Sequence, residues 1–264
     1  MFVTSIANEI AILTLCRAPV NAINEEWLRL FESELDALSA RADWKVLYIR
    51  SDQKVFCAGA DLLEMRKRMD DPNGPDRMYS FVAGIQRLYA RIERLSQVTL
   101  AEIGGAAMGG GLELALACDL RIAATTAMLG LPEAQLGLIP GAGGTQRLTR
   151  LCGRSVATRL ILGAETIDGL AARELGVVQW NFSPADIQRQ TTEILRRIAA
   201  LPHAALAASK SCIAAASESG RGGYSDELEA TRRLLSDPET RQRVETFLTG
   251  RADDAARRKR GAVQ

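Results

Sequence analysis

The chain has 264 residues but only one histidine, five scattered cysteines and no excess of either charge. A lone His203 cannot build a histidine-rich metal site, and no G-x-S-x-G elbow accompanies it for a serine triad. It sits in Leu-Pro-His-Ala-Ala, at the head of an Ala-rich segment, and reads as a helix-end residue. Cys16, Cys57, Cys118, Cys152 and Cys212 include no CxxC pair, and their odd number argues against a disulfide framework. Lys and Arg number 33 against 32 Asp and Glu, a net charge of +1, so nothing electrostatic calls for nucleic acid as a partner. Long apolar runs are missing too. The longest uncharged stretch, Ala134 to Gln146, falls short of the ~18 residues a membrane span needs and contains several Gly and Pro140. A basic start followed by an apolar core and cleavage site is also absent, and structure is expected from Phe2 onward, so the chain reads as cytoplasmic.

Hydrophobic residues at 47% and charged residues at 25% are ordinary for a folded domain. The length suits one large domain, or a domain with an appendage. Phe2 to Leu15 predicts two strands joined at Asn8-Glu9. A helix is expected from Asn24, its N-cap, to Ala40, with Trp27, Leu28, Phe31, Leu35 and Leu38 on one face. Then come a strand at 45–50, a loop Phe56-Cys-Ala-Gly-Ala-Asp61, and a charged helix from Leu62 to Met69. A helix from Asp76 to Leu95 and a strand at 98–103 follow. The latter runs through Gly104-Gly-Ala-Ala-Met-Gly-Gly-Gly111 into a helix, Leu112 to Cys118, and a strand at 119–123. Strand, Gly-rich loop and helix thus recur, an α/β alternation with right-handed crossovers. From about Ser183 only helices are predicted, at 185–200, 204–217, 225–235 and 238–249, with a boundary near residue 197. The tail ends in a basic cluster at 257–260, read as a solvated end.

The glycine loops fail both nucleotide patterns. Gly141-Ala-Gly-Gly-Thr-Gln146 lacks the Lys of a P-loop and has Gln at the sixth position of a dinucleotide fingerprint; from Gly104 the third position is Ala106. A helix that starts within Gly109-Gly-Gly111 presents free N–H groups and the positive end of its dipole, suited to a developing oxyanion. Ala58-Gly-Ala60-Asp61 could supply a second donor. Spacing alone equally allows two tight turns made for packing. Glu113 lies inside the apolar run Leu112-Glu-Leu-Ala-Leu-Ala-Cys118, and Glu133 inside Leu129-Gly-Leu-Pro-Glu-Ala. Each alone could be a cap or an ion pair. Together, in apolar surroundings, two carboxyls suit proton transfer at neutral pH beside a carbonyl. Asp61 reads as a first-turn or N-cap acid, Cys57 as a small apolar residue, and Asp119, Arg121, Gln146 and Arg147 as structural.

Three stretches, Phe56 to Leu62, Gly104 to Ala123 and Leu131 to Leu148, resemble in content, order and spacing the crotonase superfamily of enoyl-CoA hydratases and isomerases, and the likeness covers about residues 1–250. The resemblance implies an α/β fold: a crotonase-like spiral of β-β-α turns over 1–197, then a C-terminal helical trimerisation region with its basic tail over 198–264. It implies an acyl-CoA thioester substrate, with coenzyme A as part of the substrate and no separate cofactor, no metal and no membrane, and a homotrimer or homohexamer. By motif position the thioester oxygen falls between the N–H groups of Ala60 and Gly110, and Glu113 and Glu133 flank a water, as base and acid. Substrate contacts carry over to Ala22, with its Asn21 turn, to Ala58, Ala60, Asp61 and Leu62, and to Gly110, Pro132 and Gly141. Gly141 is expected to bring an N–H towards Glu133, and Phe247 to belong to a helix reaching a CoA site.

Two features depart from that pattern. Leu63 stands where a Lys is common, and the tail reads Asp253-Asp-Ala-Ala-Arg-Arg-Lys-Arg rather than an aromatic and Lys-containing segment, leaving Arg257, Arg258 and Lys259 as substitutes for the phosphate contacts. Met65, Met69 and Tyr79 are expected in the pocket wall. Both acids together favour hydration over isomerisation or thioester hydrolysis. A non-catalytic acyl-CoA binder is the reading from another class.

Overall fold

Alternating apolar residues pair Phe2–Ala7 (β1) with Ile10–Leu15 (β2) as an antiparallel hairpin. It turns at Asn8 and Glu9, both with positive φ, as a tight hairpin turn requires. The structure is a computed structural model that describes residues 1–216 and 223–261, with 250–261 described by backbone alone. The following strands are Val46–Ser51 (β3), Val98–Ile103 (β4), Leu120–Ala124 (β6) and Trp180–Phe182 (β9), and the sheet runs β1-β2-β3-β4-β6-β9. Every neighbour after the hairpin is parallel. Buried parallel strands read as near-continuous apolar runs, and β4 is buried along its whole length.

A second, smaller sheet joins Ala107–Met108 (β5), Met128–Gly130 (β7) and Thr166–Asp168 (β8) in the order β5-β7-β8. The chain therefore coils. One turn places β4 on the large sheet, β5 on the small one, then the helix Gly110–Leu116 (α4). The next repeats the move with β6, β7 and the helix Gly144–Leu162 (α5). This is the β-β-α spiral expected from the sequence.

The helix Glu25–Ser39 (α1) buries Trp27, Phe31, Leu35 and Leu38. Trp27 and Phe31 meet Phe2 of β1, with ring centroids 5.0 to 5.3 Å apart. Leu62–Met69 (α2) and Gly74–Glu93 (α3) follow β3. Gly169–Glu174 (α6) and Ile187–Ala199 (α7) complete the first unit, which spans Met1–Ala200. The second unit, Leu201–Gln264, holds His203–Ala215 (α8), Gly223–Leu235 (α9) and Pro238–Gly261 (α10). Within it, α8 packs on α9 and α9 meets α10. His203 opens α8, as its setting predicts. Ser217 and the side chains of Arg257, Arg258 and Lys259 lie outside the described residues.

The sequence reading places the α4 helix two residues late and does not recognise α5, α6 or the small sheet. Strands of two or three residues carry no readable period. In α5 the helical pattern is broken by Gly153, whose φ of 79° and ψ of 165° kink the element. Among the described residues, no single helix is long and apolar enough to cross a membrane.

The start of α1 depends on Asn24, whose side chain accepts the Trp27 N–H at 2.8 Å. Asn24→Ala is expected to lower unfolding stability by about 1 kcal/mol in a denaturant titration, and Asn24→Asp to keep it. Equal losses for both would show that the cap bond does not hold this helix end.

Candidate active site

Two backbone segments pass each other at the rim between the sheets. Cys57 bridges Ala107, and the Met108 N–H donates to the Cys57 carbonyl at 3.0 Å. The approach needs glycine. Gly59, at φ +90°, has the Met108 oxygen 2.8 Å from where a Cβ would stand, and the Gly110 nitrogen at 3.3 Å. Gly109, at φ +51°, has Glu133 Oε1 at 2.8 Å from the same position. A side chain at either place is excluded by backbone strain and by contact.

The Ala60 nitrogen lies 3.9 Å from the position of a Cβ on Gly110. Gly110 opens α4, so its N–H has no intrahelical partner. Neither the Ala60 nor the Gly110 N–H meets a backbone acceptor among the described residues. The Ala60 segment is held from behind, where Ile23 N–H donates to Gly59 and Asp61 N–H to Ile23, at 2.8 and 2.9 Å. Buried Asn21 fixes the turn before it, donating to Ser51 Oγ and the Phe56 carbonyl. Arg17 donates to the Ala22 carbonyl and pairs with Asp61 at 2.9 Å.

Glu133 lies against Gly109 on this turn, and Glu113 lies near it, against Gly144. Glu113, on α4, is 2% exposed, and its Oε1 accepts the Gly144 N–H at 2.7 Å. Burial lifts its pKa from 4.5 to about 7; nearby Glu133 adds to the rise, while the N–H groups of Gly144 and Ala142 and the Arg147 charge oppose it. Glu133 lies in the 3₁₀ turn Pro132–Leu136. Burial raises its pKa as well, and its Oε2 is buried without a hydrogen-bond partner. An orphaned buried carboxylate oxygen is costly and marks a place where a ligand group or water belongs.

Ala60, Gly110, Glu113, Glu133 and Pro132 therefore assemble. Asp61 caps α2, accepting the N–H groups of Leu63 and Glu64; burial opposes its ionisation, yet Arg17 and these donors hold its pKa below the usual value. Ala22 is half-buried, while Ala58 and Leu62 are exposed beside the site. Gly141 departs from expectation. Its carbonyl accepts from Gln86, its N–H bonds to neither glutamate, and the amide from this loop that reaches an acid is that of Gly144, on Glu113. Met69 and Tyr79 are largely exposed, as is Phe247 on α10. Cys57 is buried, gives its thiol hydrogen to the Asn21 carbonyl, and is pushed up to about 12 by burial, so it is no nucleophile.

The sequence reading missed Tyr89, Arg17 and the cleft that Arg17 lines. Tyr89 is buried on α3 and donates to the Gly110 carbonyl at 2.8 Å. Arg17, Asp61, Leu63, Glu64, Arg66, Lys67 and Asp70 line an open cleft of about 520 Å³ alongside Leu62. No signal in the helical pattern singles out Tyr89, whereas the Arg and Lys of α2 follow the Ala60-Asp61 motif directly. Among the described residues, no group of three or more His, Cys, Asp or Glu could hold a metal.

Because Glu113 binds protons more tightly folded than unfolded, stability falls as pH rises from about 4.5 to about 7. Glu113→Gln keeps an acceptor for Gly144 and removes the buried charge. It is expected to be more stable than the parent at pH 8, by about 3 kcal/mol, and equal to it near pH 4. Identical melting at both pH values would contradict a strained carboxylate.

The enoyl-CoA hydratase/isomerase family model matches residues 5–252. An Arabidopsis thaliana protein named "Probable enoyl-CoA hydratase 2, mitochondrial" is 42% identical over 179 residues, 67% of this chain but 58% of that protein's length. The Escherichia coli 2,3-dehydroadipyl-CoA hydratase is 32% identical over 255 residues, 96% of this chain and 97% of its own. The crystal structure of an enoyl-CoA hydratase from Bacillus anthracis superimposes with a TM-score of 0.88 at 31% identity, covering 94% of this chain and 96% of that one. A mixed α/β spiral of this topology, with a motif match along nearly its whole length, places the chain in the enoyl-CoA hydratase/isomerase family of crotonase-fold proteins.

Proposed function

We propose that the protein is a hydratase that adds water across the 2,3 double bond of a 2-enoyl-CoA thioester to give a 3-hydroxyacyl-CoA. The observation that carries this reading is the pairing of two buried carboxyls with raised pKa values, Glu133 against Gly109 and Glu113 against Gly144, with the N–H groups of Ala60 and Gly110, which meet no backbone acceptor among the described residues.

The two N–H groups hold the thioester oxygen. As negative charge moves onto that oxygen, the β-carbon becomes electrophilic. Glu113 takes a proton from water as the water oxygen bonds to the β-carbon. Glu133 gives its proton to the α-carbon as the enolate collapses. The product leaves Glu113 protonated and Glu133 ionised, and exchange with solvent resets both. Burial raises the pKa of both carboxyls, and that of Glu113, at about 7, suits proton exchange at neutral pH. The reading calls for no metal and no cofactor beyond the coenzyme A of the substrate.

A panel of 2-enoyl-CoA thioesters, short, long and branched, read by the absorbance of the conjugated thioester, tests the assignment. Loss of absorbance with formation of the 3-hydroxy product is expected, and Glu113→Gln or Glu133→Gln is expected to lower kcat by ~10²–10⁴. Migration of the double bond without hydration would assign an isomerase instead. Full activity in both variants would remove the two-acid mechanism.

The cleft beside α2 is proposed to take the nucleotide end of coenzyme A. Lys67 is paired with Glu64 and Arg17 with Asp61, whereas Arg66 is exposed and makes no ion pair among the described residues. It is the cation that stands in for the family's lysine at position 63. Arg66→Ala is expected to raise KM for a CoA ester about three- to tenfold with little change in kcat, from the loss of one charge-assisted contact, and to leave the KM of a pantetheine ester unchanged. Equal effects on both esters would place the phosphates elsewhere.

Assembly into a trimer or hexamer is proposed through the second unit. Its α8, α9 and α10 expose Ile213, Leu228, Leu235, Val244, Phe247 and Leu248, apolar side chains that a neighbouring subunit would cover.

A further inference from the structure

Glu113 carries out its proposed role only if it is ionised when water arrives, yet burial works against that. The counterweight comes from α5. Arg147 sits in the first turn of that helix and is itself 8% exposed. Its Nη1 donates to the Ala142 carbonyl at 2.9 Å, and its Nε and Nη2 reach Glu93 Oε2 at 3.3 and 3.1 Å. Glu93, the last residue of α3, is half-exposed. The guanidinium also occupies the space a Cβ on Gly143 would need, and Gly143 has a φ of +105°. Arg147 thus grips residues 142 and 143, immediately before the Gly144 N–H that bonds Glu113. The distance in sequence from Glu93 to Arg147 is 54 residues, and nothing in either local pattern links them.

We propose that Arg147, its charge partly offset by Glu93, is a positioning residue that acts on Glu113 through its charge: its guanidinium, bonded to Ala142 and packed on Gly143, sits beside the Gly144 amide that bonds Glu113 and there favours the ionised carboxylate as a base. This rests on the reading of Glu113 as the general base. The titratable groups facing Glu113 are Glu133 from the 3₁₀ turn, Tyr89 from α3 and Arg147 from α5, with Cys57 beyond Tyr89. Of these, Arg147 alone is cationic. Tyr89 and Cys57 stay neutral, since burial raises both above the physiological range.

Charge and scaffolding predict different signs. If Arg147 acts through its charge, removing it raises the pKa of Glu113, and removing Glu93, which partly neutralises Arg147, lowers it. If the pair only braces the loop, both substitutions loosen the Gly144 amide and raise the pKa together. The pH dependence of kcat/KM reports the acid and base of the free enzyme. In the full chain, Arg147→Gln is expected to move the limb on the acid side up, cutting the rate near pH 7 about twofold and restoring it near pH 9. Glu93→Gln is expected to move the same limb down, and Arg147→Lys to return most of the shift. A carbon-13 titration of the glutamate carboxyls without substrate, with the Glu113 resonance identified by its loss in Glu113→Gln, is expected to show the same signs.

Shifts of the same sign in Arg147→Gln and Glu93→Gln, or no shift in either, would overturn the proposal. If Arg147→Gln fails to fold, Glu93→Gln and Arg147→Lys still carry the sign. A parent protein that hydrates no enoyl thioester would refute the hydratase reading, while the carboxyl titration would still decide the role of Arg147.

Discussion

The close passage of residues 57–60 against residues 108–111 sets the geometry on which the rest depends. Two polypeptide backbones come to contact distance there because Gly59 and Gly109 have no side chain and accept positive φ. Among the described residues, the passage leaves the Ala60 and Gly110 N–H groups without backbone acceptors. It also brings the start of α4 against the 3₁₀ turn, so that Glu133 lies over Gly109. The spiral supplies the means. Two successive coils each add a strand to both sheets, β4 with β5 and β6 with β7, and the segments that follow β5 and β7 carry Gly109 and Glu133.

Glu113 shows how a fold carries a group against its preference. A carboxyl buried to 2% exposure resists ionisation, and the Gly144 amide and Arg147 restore only part of what burial removes. The outcome is a pKa near 7, useless for stability and well matched to proton transfer at neutral pH. The orphaned Oε2 of Glu133 is a similar concession. Such sites persist because the surrounding packing over-determines them. Here that packing includes the wholly buried β4 strand and α5, both of which contact α4.

Much of this was legible in the sequence, for physical reasons. The Asn24 cap and the spacing of Trp27, Phe31, Leu35 and Leu38 mark α1 because a helix repeats every 3.6 residues. The β1–β2 hairpin shows in its alternation and its Asn8-Glu9 turn. Glu113 and Glu133 stand out as acids in apolar runs, a pattern that folding tolerates only with compensation. Less was visible where the cause is non-local. Residues of the small sheet are too few per strand to show a period, and Gly153 breaks the period of α5. Gly141 drew attention, but the amide that bonds an acid is three residues on, at Gly144, and its partner is the other glutamate. Arg147 reads as structural from its sequence setting, and its contact with Glu93, 54 residues away, leaves no local trace.

Convergence of two amides and two carboxyls on one acyl group is most directly examined by a crystal structure with an unreactive acyl-CoA thioester bound. The thioester oxygen is expected within about 3.2 Å of both the Ala60 and Gly110 nitrogens, with the Glu113 and Glu133 carboxyls on either side of the α- and β-carbons. A thioester oxygen bonded to neither amide, or an acyl chain lying away from both acids, would contradict it.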